Sequence, residues 1–284
     1  MLRFSKLVGT GNDFIFIDLI IKPLSELTEF SREKLALNIC DRHTGVGADG
    51  IIFVEKNETS GFLRWDFYNR DGSRAEFCGN AARCFGRWAH HYLGRTELIF
   101  ESRIGEIKLT MRKQKHEDLF VVQMNDLNAS LKKVDILDSE LSSARKSLNK
   151  LERVFLVNSG VPHMVCIQKE KLNLSEKMEL VGVFRFHKDT GAAGANVTFL
   201  FGEQTESFER GVEDFTLSCG TGVLAAAICV FRSSRRKEIS LKTPGGQLRV
   251  EVVVADQEIV SRANLIGPAE ILCEGNYFLK STLE

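Results

Sequence analysis

Two cysteines stand in matching frames, Cys78-Gly79-Asn80 and Cys219-Gly220-Thr221. A small, apolar run follows each, Ala81 to Ala89 after the first and Gly222 to Phe231 after the second. Both runs read as helices, which puts each thiol at a helix N-terminus. Unpaired backbone N–H groups and the positive end of the helix dipole favour a thiolate there. The same N–H groups can hold an anion such as a carboxylate. Two such thiols, 141 residues apart, suit two proton-transfer groups acting on one substrate from opposite sides. The other five cysteines form no CxxC pair and no zinc-ribbon spacing. Of these, Cys84, Cys166, Cys229 and Cys273 have apolar neighbours and read as buried structural side chains.

The elements that must position these thiols are mostly short strands. Phe4–Leu7 and Phe14–Asp18 read as strands around a turn containing Gly9, Gly11 and Asn12. Ser31–Cys40 reads as a helix capped by Ser31. Asp41–Gly50 is glycine-rich but lacks the Gly-Lys-Ser/Thr ending of a phosphate loop, so it reads as a structural loop braced by His43. Strands follow over Ile51–Val54 and Leu63–Tyr68, a turn over Asn69–Ser73, and further strands between Leu98 and Val122. Leu131–Leu151 is polar and reads as surface or linker. Beyond it, Val154–Val157, Met164–Ile167 and Val197–Phe201 are strands, Pro244-Gly245-Gly246 is a strand-joining turn, and two short strands close the chain.

Leu7-Val8-x-x-Gly11 matches Leu156-Val157-x-x-Gly160 at an offset of 149, close to the offset of the two Cys-Gly frames. That argues for an internal duplication. The expected fold is α+β, with two pseudo-symmetric lobes. Each lobe is a mainly antiparallel β-sheet or barrel wrapped around one central helix that begins at a cysteine.

A chain of 284 residues accommodates two domains. Basic and acidic residues balance at 38 each and are scattered, which argues against a nucleic-acid partner. No apolar run approaches membrane-spanning length, and Met1–Lys6 forms no signal peptide, so the expected location is the cytoplasm. No His or carboxylate set has metal-ligand spacing.

Several blocks occur in order. They are Phe4-Ser5-Lys6 with Gly11-Asn12-Asp13-Phe14; Asp41-Arg42-His43-x-Gly45-Val46-Gly47-Ala48-Asp49-Gly50; and Asn69-x-Asp71-Gly72-Ser73. Then come Cys78-Gly79-Asn80 with Arg83-Cys84, Pro162-His163, Glu209-Arg210-Gly211, Cys219-Gly220-Thr221-Gly222 and Pro244-Gly245-Gly246. Together they resemble the diaminopimelate epimerase family, nearly end to end.

The resemblance implies cofactor-free inversion at one α-carbon of diaminopimelate, interconverting the LL and meso isomers on the route to lysine and peptidoglycan precursors. It implies Cys78 and Cys219 as the catalytic pair, and His163 and Glu209 as residues that tune the thiols. Asn12, Asn69, Gly79, Asn80, Asn196, Arg210, Gly220 and Thr221 follow as contacts to an amino-acid substrate. It also implies a homodimer, and lobes over 1–123 plus 267–284 and over 124–266 with the active site in the cleft between them.

The chain departs from the family pattern at three places. Val161 stands where many members carry Asn, with Asn158 as the candidate replacement. The Glu209–Cys219 spacing is one residue longer, with Glu213-Asp214-Phe215 in place of Gly-Glu. Gly191–Ala195 is rich in small residues, with no Arg just ahead of Asn196. Rival readings are a racemase of another amino acid, a phenazine-type isomerase, a non-catalytic amino-acid-binding protein and a thiol–disulfide oxidoreductase. The two Cys-Gly frames argue against the second, retention of His163 and Glu209 against the third, and the missing CxxC against the fourth.

Overall fold

A computed structural model describes the whole chain except residues 21–28, 115, 126, 128, 130, 136–143, 257–258 and 280–284, and the side chains of 29, 30, 255, 256 and 259. The chain divides into two compact units, Met1–Val122 with Gly267–Glu284, and Gln123–Ile266.

The first unit opens with a hairpin of β1 (Leu2–Gly9) and β2 (Asn12–Asp18). Its two turn residues, Thr10 and Gly11, have positive φ, 49° and 92°. Such a turn follows the right-handed twist of the strands. It is ordinary for glycine and strained for β-branched threonine, so neighbouring groups must hold Thr10 in place. Helix α1 (Glu29–Ile39) leads to β3 (Gly50–Lys56), which runs parallel to β2, and β4 (Leu63–Asn69) returns antiparallel. The helix begins ahead of Ser31, which therefore lies inside it instead of capping it. Leu35, Ala36 and Ile39 fasten α1 to Ile15, Ile17, Ile51 and Phe53 of the sheet.

Helix α2 (Gly79–Leu93) then crosses the first unit, followed by β5 (Glu97–Ser102), β6 (Gly105–Gln114) and β7 (Glu117–Met124). Alanines favour the helix, and Gly94 ends it in the left-handed conformation, donating to the Ala89 and His90 carbonyls. Phe85 packs on Phe100 at 4.6 Å and Trp65 on Phe100 at 4.8 Å, an aromatic core around one helix. Gly86 permits this approach, since a Cβ there would lie 2.9 Å from the Phe120 ring.

The second unit comprises β8 (Leu131–Val134), α3 (Arg145–Leu148), β9 (Leu151–Asn158), β10 (Pro162–Gln168), α4 (Leu174–Phe184), β11 (Asn196–Phe201), β12 (Gln204–Glu209), β13 (Asp214–Thr216), α5 (Gly220–Ser234), β14 (Glu238–Thr243), β15 (Gly246–Asp256) and β16 (Ile259–Pro268). The chain then returns to the first unit, where β17 (Glu270–Tyr277) pairs antiparallel with β1. The second core gathers Leu180 and Phe184 of α4 with Met164, Cys166, Val197 and Phe199.

One order of elements occurs twice: a hairpin, an 11-residue helix, a parallel strand, an antiparallel strand, a 15-residue helix capped by cysteine, a parallel strand and an antiparallel strand. It runs β1–β6 around α1 and α2, and again β9–β15 around α4 and α5, where the short β13 is an addition ahead of α5. The duplication is thus topological as well as sequential, and the α+β class holds with mainly antiparallel pairing.

Three readings change besides the Ser31 cap. The stretch 131–151 is not merely surface: β8 pairs with β9, and Ala144 and Leu148 are buried, while 136–143 lie outside the described residues. The final stretch is one strand, β17, not two. Cys273, on that strand, is exposed rather than buried; Cys84, Cys166 and Cys229 are buried as expected. Helix α4 was not anticipated. Its signal lay in Asn173 and Glu176, which form a reciprocal capping box. Among the described residues no helix is long and apolar enough to cross a membrane.

Candidate active site

In the first unit Cys78 caps α2 with extended backbone (φ −146°, ψ 124°), and its carbonyl accepts the Ala82 N–H at 2.9 Å. Gly9 lets β1 lie against this first helical turn; a Cβ there would meet the Asn80 carbonyl at 2.9 Å and Cys84 Sγ at 3.2 Å. Asn80 donates through Nδ2 to Asn12 Oδ1 at 2.6 Å. Its Oδ1 accepts from Arg83 Nη2 at 2.7 Å and Thr10 Oγ1 at 3.3 Å. Asn12 in turn donates to Asp49 Oδ2 at 3.1 Å.

Asp49 and Asp13 share the Arg42 guanidinium, at 2.8 Å each, and Lys6 lies 3.0 Å from Asp13. Burial pushes the Asp13 carboxyl up, but hydrogen bonds from Arg42 and Lys6 outweigh it and the net shift is downward. The glycine-rich loop is therefore structural, and what it braces is the turn carrying Asn12. Its His43 is exposed, and the bracing comes from Arg42 and Asp49. Asn69 closes β4 and donates to Ser73 Oγ at 3.0 Å, holding its own turn.

In the second unit Cys219 caps α5 in the same extended manner (φ −111°, ψ 108°) and is buried. The turn Pro244-Gly245-Gly246 positions the segment ahead of it, through the Gly245 N–H bonded to the Leu217 carbonyl at 2.7 Å. Cys219 Sγ reaches the Thr221 hydroxyl at 3.4 Å, takes a hydrogen bond from the Gly222 N–H and is hydrogen-bonded to Glu209. Burial, and then the Glu209 charge, push this thiol well above its ordinary range, against the Thr221 and Gly222 hydrogen bonds. Burial and Glu209 thus outweigh the pull of the helix terminus toward a thiolate at Cys219.

Glu209 is raised by burial, partly offset by hydrogen bonds from Thr216 and Cys219. A raised carboxyl favours the protonated form in the folded state. Its stabilising contribution is complete below its unfolded value of 4.5 and is lost as pH rises through the higher folded value. Glu209→Gln, which cannot ionise, is therefore expected to gain melting temperature relative to the parent as pH goes from 4 to 8. Thermal melts across that range check this, and a pH-independent difference would refute it.

His163 is fully buried and meets three partners: Thr198 Oγ1 at Nδ1 (2.8 Å), and Thr221 Oγ1 (3.0 Å) and Asn196 Nδ2 (3.1 Å) at Nε2. Asn196 Oδ1 accepts the Arg210 N–H at 2.7 Å, which fixes the amide orientation. An amide N–H only donates, so Nε2 accepts and the proton sits on Nδ1, donated to Thr198. Thr198 Oγ1 continues to Ser207 Oγ at 2.9 Å. Burial, then the Arg210 charge, lower the imidazole to about 3, so the ring is neutral and holds Thr221 beside the sulfur.

Two departures from the family pattern meet at one arginine. Arg185, buried at the end of α4, bonds Glu213 through Nε (3.2 Å) and Nη2 (2.6 Å) and the Ala193 carbonyl through Nη1 (2.9 Å). Its own carbonyl takes the Ala195 N–H at 2.9 Å. Gly194 between them has φ +69°, and a Cβ there would lie 2.2 Å from Arg185 Nη1. The Gly194 carbonyl faces Arg210 Nη1 at 3.4 Å. Glu213 takes up the extra residue with φ 55°. At the third departure, Val161, the Asn158 Oδ1 is engaged by the Gly160 N–H at 3.2 Å.

Of the residues singled out from the sequence, Asn12, Gly79 and Asn80 thus gather at the α2 terminus with Cys78, and Asn69 sits in a separate turn. His163, Asn196, Glu209, Arg210, Gly220 and Thr221 gather around Cys219. Sequence reasoning missed Thr10, Arg83, Thr198, Ser207, Thr216 and Arg185. Apart from Arg83, inside the Arg83-Cys84 block, these are isolated polar residues without a motif of their own.

The diaminopimelate epimerase family profile matches residues 4–129 and 155–271. The diaminopimelate epimerase of Methanocella arvoryzae is 35% identical over 96% of this chain and 96% of its own. That of Hydrogenobaculum sp. is 32% identical over 95% and 96%. In fold the chain is similar to the Bacillus anthracis phenazine biosynthesis protein of the PhzF family, with a TM-score of 0.74 at 15% identity over 98% of this chain and 99% of that one. With its motifs, its duplicated topology and this end-to-end match together, the chain belongs to the diaminopimelate epimerase family.

Proposed function

We propose that the protein is a cofactor-independent diaminopimelate epimerase, a cytoplasmic homodimer in which Cys78 and Cys219 act on opposite faces of the substrate α-carbon in a cleft between the lobes. The observation that carries this is the duplicated element order that presents a cysteine-capped helix twice, in a chain of this family.

In one direction a thiolate at Cys78 removes the α-proton: the C–H bond breaks, an S–H bond forms and the electron pair stays on carbon. The Cys219 thiol then gives its proton to the opposite face, breaking S–H and forming C–H. The reverse direction exchanges the roles. Negative charge that develops beside the carboxylate faces the N–H groups at Gly79, Asn80, Gly220 and Thr221. Arg210 grips a carboxylate, and Glu209 and the neutral imidazole of His163 set the surroundings of the thiols. Two thiols supply both proton transfers, so the scheme needs no cofactor.

The test is α-hydrogen exchange. Reduced protein in D2O with LL- or meso-diaminopimelate is expected to wash deuterium into the α-position as the isomers interconvert, read by NMR. Absence of exchange on both isomers, with exchange on a different amino acid, would overturn the substrate assignment. Sedimentation velocity reads the dimer.

A further inference from the structure

Arg83 is fully buried in α2, five residues after Cys78. Its guanidinium bends back toward the helix start, with Nη1 3.4 Å from the Gly79 carbonyl, Nη2 2.7 Å from Asn80 Oδ1 and 2.6 Å from Thr10 Oγ1, and Nε 3.4 Å from the Pro268 carbonyl. Every one of these partners is an uncharged oxygen. A buried cation ordinarily has an ionised partner, because desolvation is costly. Here a positive charge is held at the end of the helix that is already positive.

We infer that Arg83 is a positioning residue whose charge, directed at the first turn of α2, holds Cys78 as the resting thiolate of the pair. The inference rests on the reading of Cys78 as a proton-transferring thiol. Burial lowers Arg83 only to about 10, so it stays charged at neutral pH, and Cys84 and Cys78 are the groups that act on it electrostatically. Cys84 is itself buried and pushed far up, so it stays a neutral thiol and leaves Cys78 as the acid that benefits.

Other charges around the helix are engaged or exposed. On β1, Arg3 pairs with Glu274 of β17 and Lys6 with Asp13 of β2; on β2, Asp18 accepts the Ile20 N–H. Glu106, Lys108, Arg112 and Lys113 of β6 and Glu270 of β17 are exposed. The second unit lacks the device: the residue five after Cys219 is Leu224, and the group facing that sulfur is the Glu209 carboxyl. The duplicated halves thus carry opposite electrostatics, a cation at one thiol and an acid at the other, and set a thiolate–thiol resting state.

The experiment is peptide-resolved alkylation of the full chain by iodoacetamide from pH 5 to 10, without substrate. Mass spectrometry reads Cys78 and Cys219 separately. In the parent, Cys78 is expected to reach half its limiting rate below the ordinary thiol value of about 8.5. Arg83→Met is expected to raise that midpoint by about one pH unit or more, and Arg83→Lys to restore most of it. In the same variants Arg83→Met lowers kcat more than it raises KM. A folded Arg83→Met with an unmoved Cys78 midpoint overturns the inference. So does a parent midpoint at or above the ordinary value, a measurement that needs no variant. The two alkylation midpoints involve no diaminopimelate, so failure of the substrate assignment would leave them unchanged.

Discussion

Replacing Cys219 by alanine is expected to lower interconversion of the LL and meso isomers by about 10²–10⁴-fold, the usual weight of one positioned acid or base. Folding should survive, because the change removes one sulfur at a helix N-cap and leaves the cap backbone in place. The substitution takes away the proton donor on one face only. Cys78 remains able to remove and return a proton on the other face, so one isomer should still exchange its α-hydrogen with D2O while keeping its configuration. Cys78→Ala should give the mirror result with the other isomer. Deuterium uptake followed by NMR, beside chiral chromatography of the product, separates exchange from inversion. Full interconversion by Cys219→Ala would remove this thiol from the mechanism. Loss of exchange on both isomers, in a protein with an unchanged melt, would show that the two thiols cannot act singly.

Gly222→Ala should destabilise the protein by about 1–3 kcal/mol, as overpacking does, and depress activity with it. On propensity alone the sign would be opposite, since alanine is favoured over glycine within a helix by about 1 kcal/mol. Space decides the matter. A Cβ on Gly222 would lie 2.2 Å from Ser207 Oγ, 3.1 Å from Thr198 Oγ1 and 3.2 Å from Cys219 Cβ. The first two atoms belong to the hydroxyl chain that ends on His163, so relief of the clash must shift the chain or the thiol. Ser207→Ala removes the nearest obstructing atom and should recover part of the lost stability in the double variant. Thermal melts of the two single variants and the double variant test this; a Gly222→Ala melt equal to the parent's would contradict the packing argument.

Much of the site was legible because its residues come in frames. A cysteine before a glycine and a small apolar run is a local signal, and both helices start where it places them. The strands were legible from alternation, and the duplication from two offsets. What was hidden depends on contacts far apart in sequence. Nothing near Thr198 or Ser207 announces that the two hydroxyls stack behind His163, and nothing near Arg83 shows that its hydrogen-bond partners among the described residues are uncharged oxygens. The ionisation of Cys219 likewise depends on groups distant in sequence. The helix terminus is local and favours a thiolate, but burial and Glu209 come from the fold and outweigh it. Helix α4 has a local signal in its Asn173–Glu176 cap, but its buried face includes Lys177 beside Leu180, Val181 and Phe184, which blurs the apolar stripe.

The arginine strut at the end of α4 has a consequence for loop exchange between relatives. Arg185, Gly194 and Glu213 come from three separate segments yet fit only as a set: the guanidinium fills the space a side chain at 194 would need, and Glu213 supplies its counter-charge. Grafting the longer Glu209–Cys219 segment into a relative without the arginine would leave the glutamate facing no cation. Grafting the arginine alone would drive it against any side chain at position 194. The inserted residue, the small-residue run and the arginine therefore constitute one transplantable module, and chimeras that divide it should express poorly while those that carry all three should not.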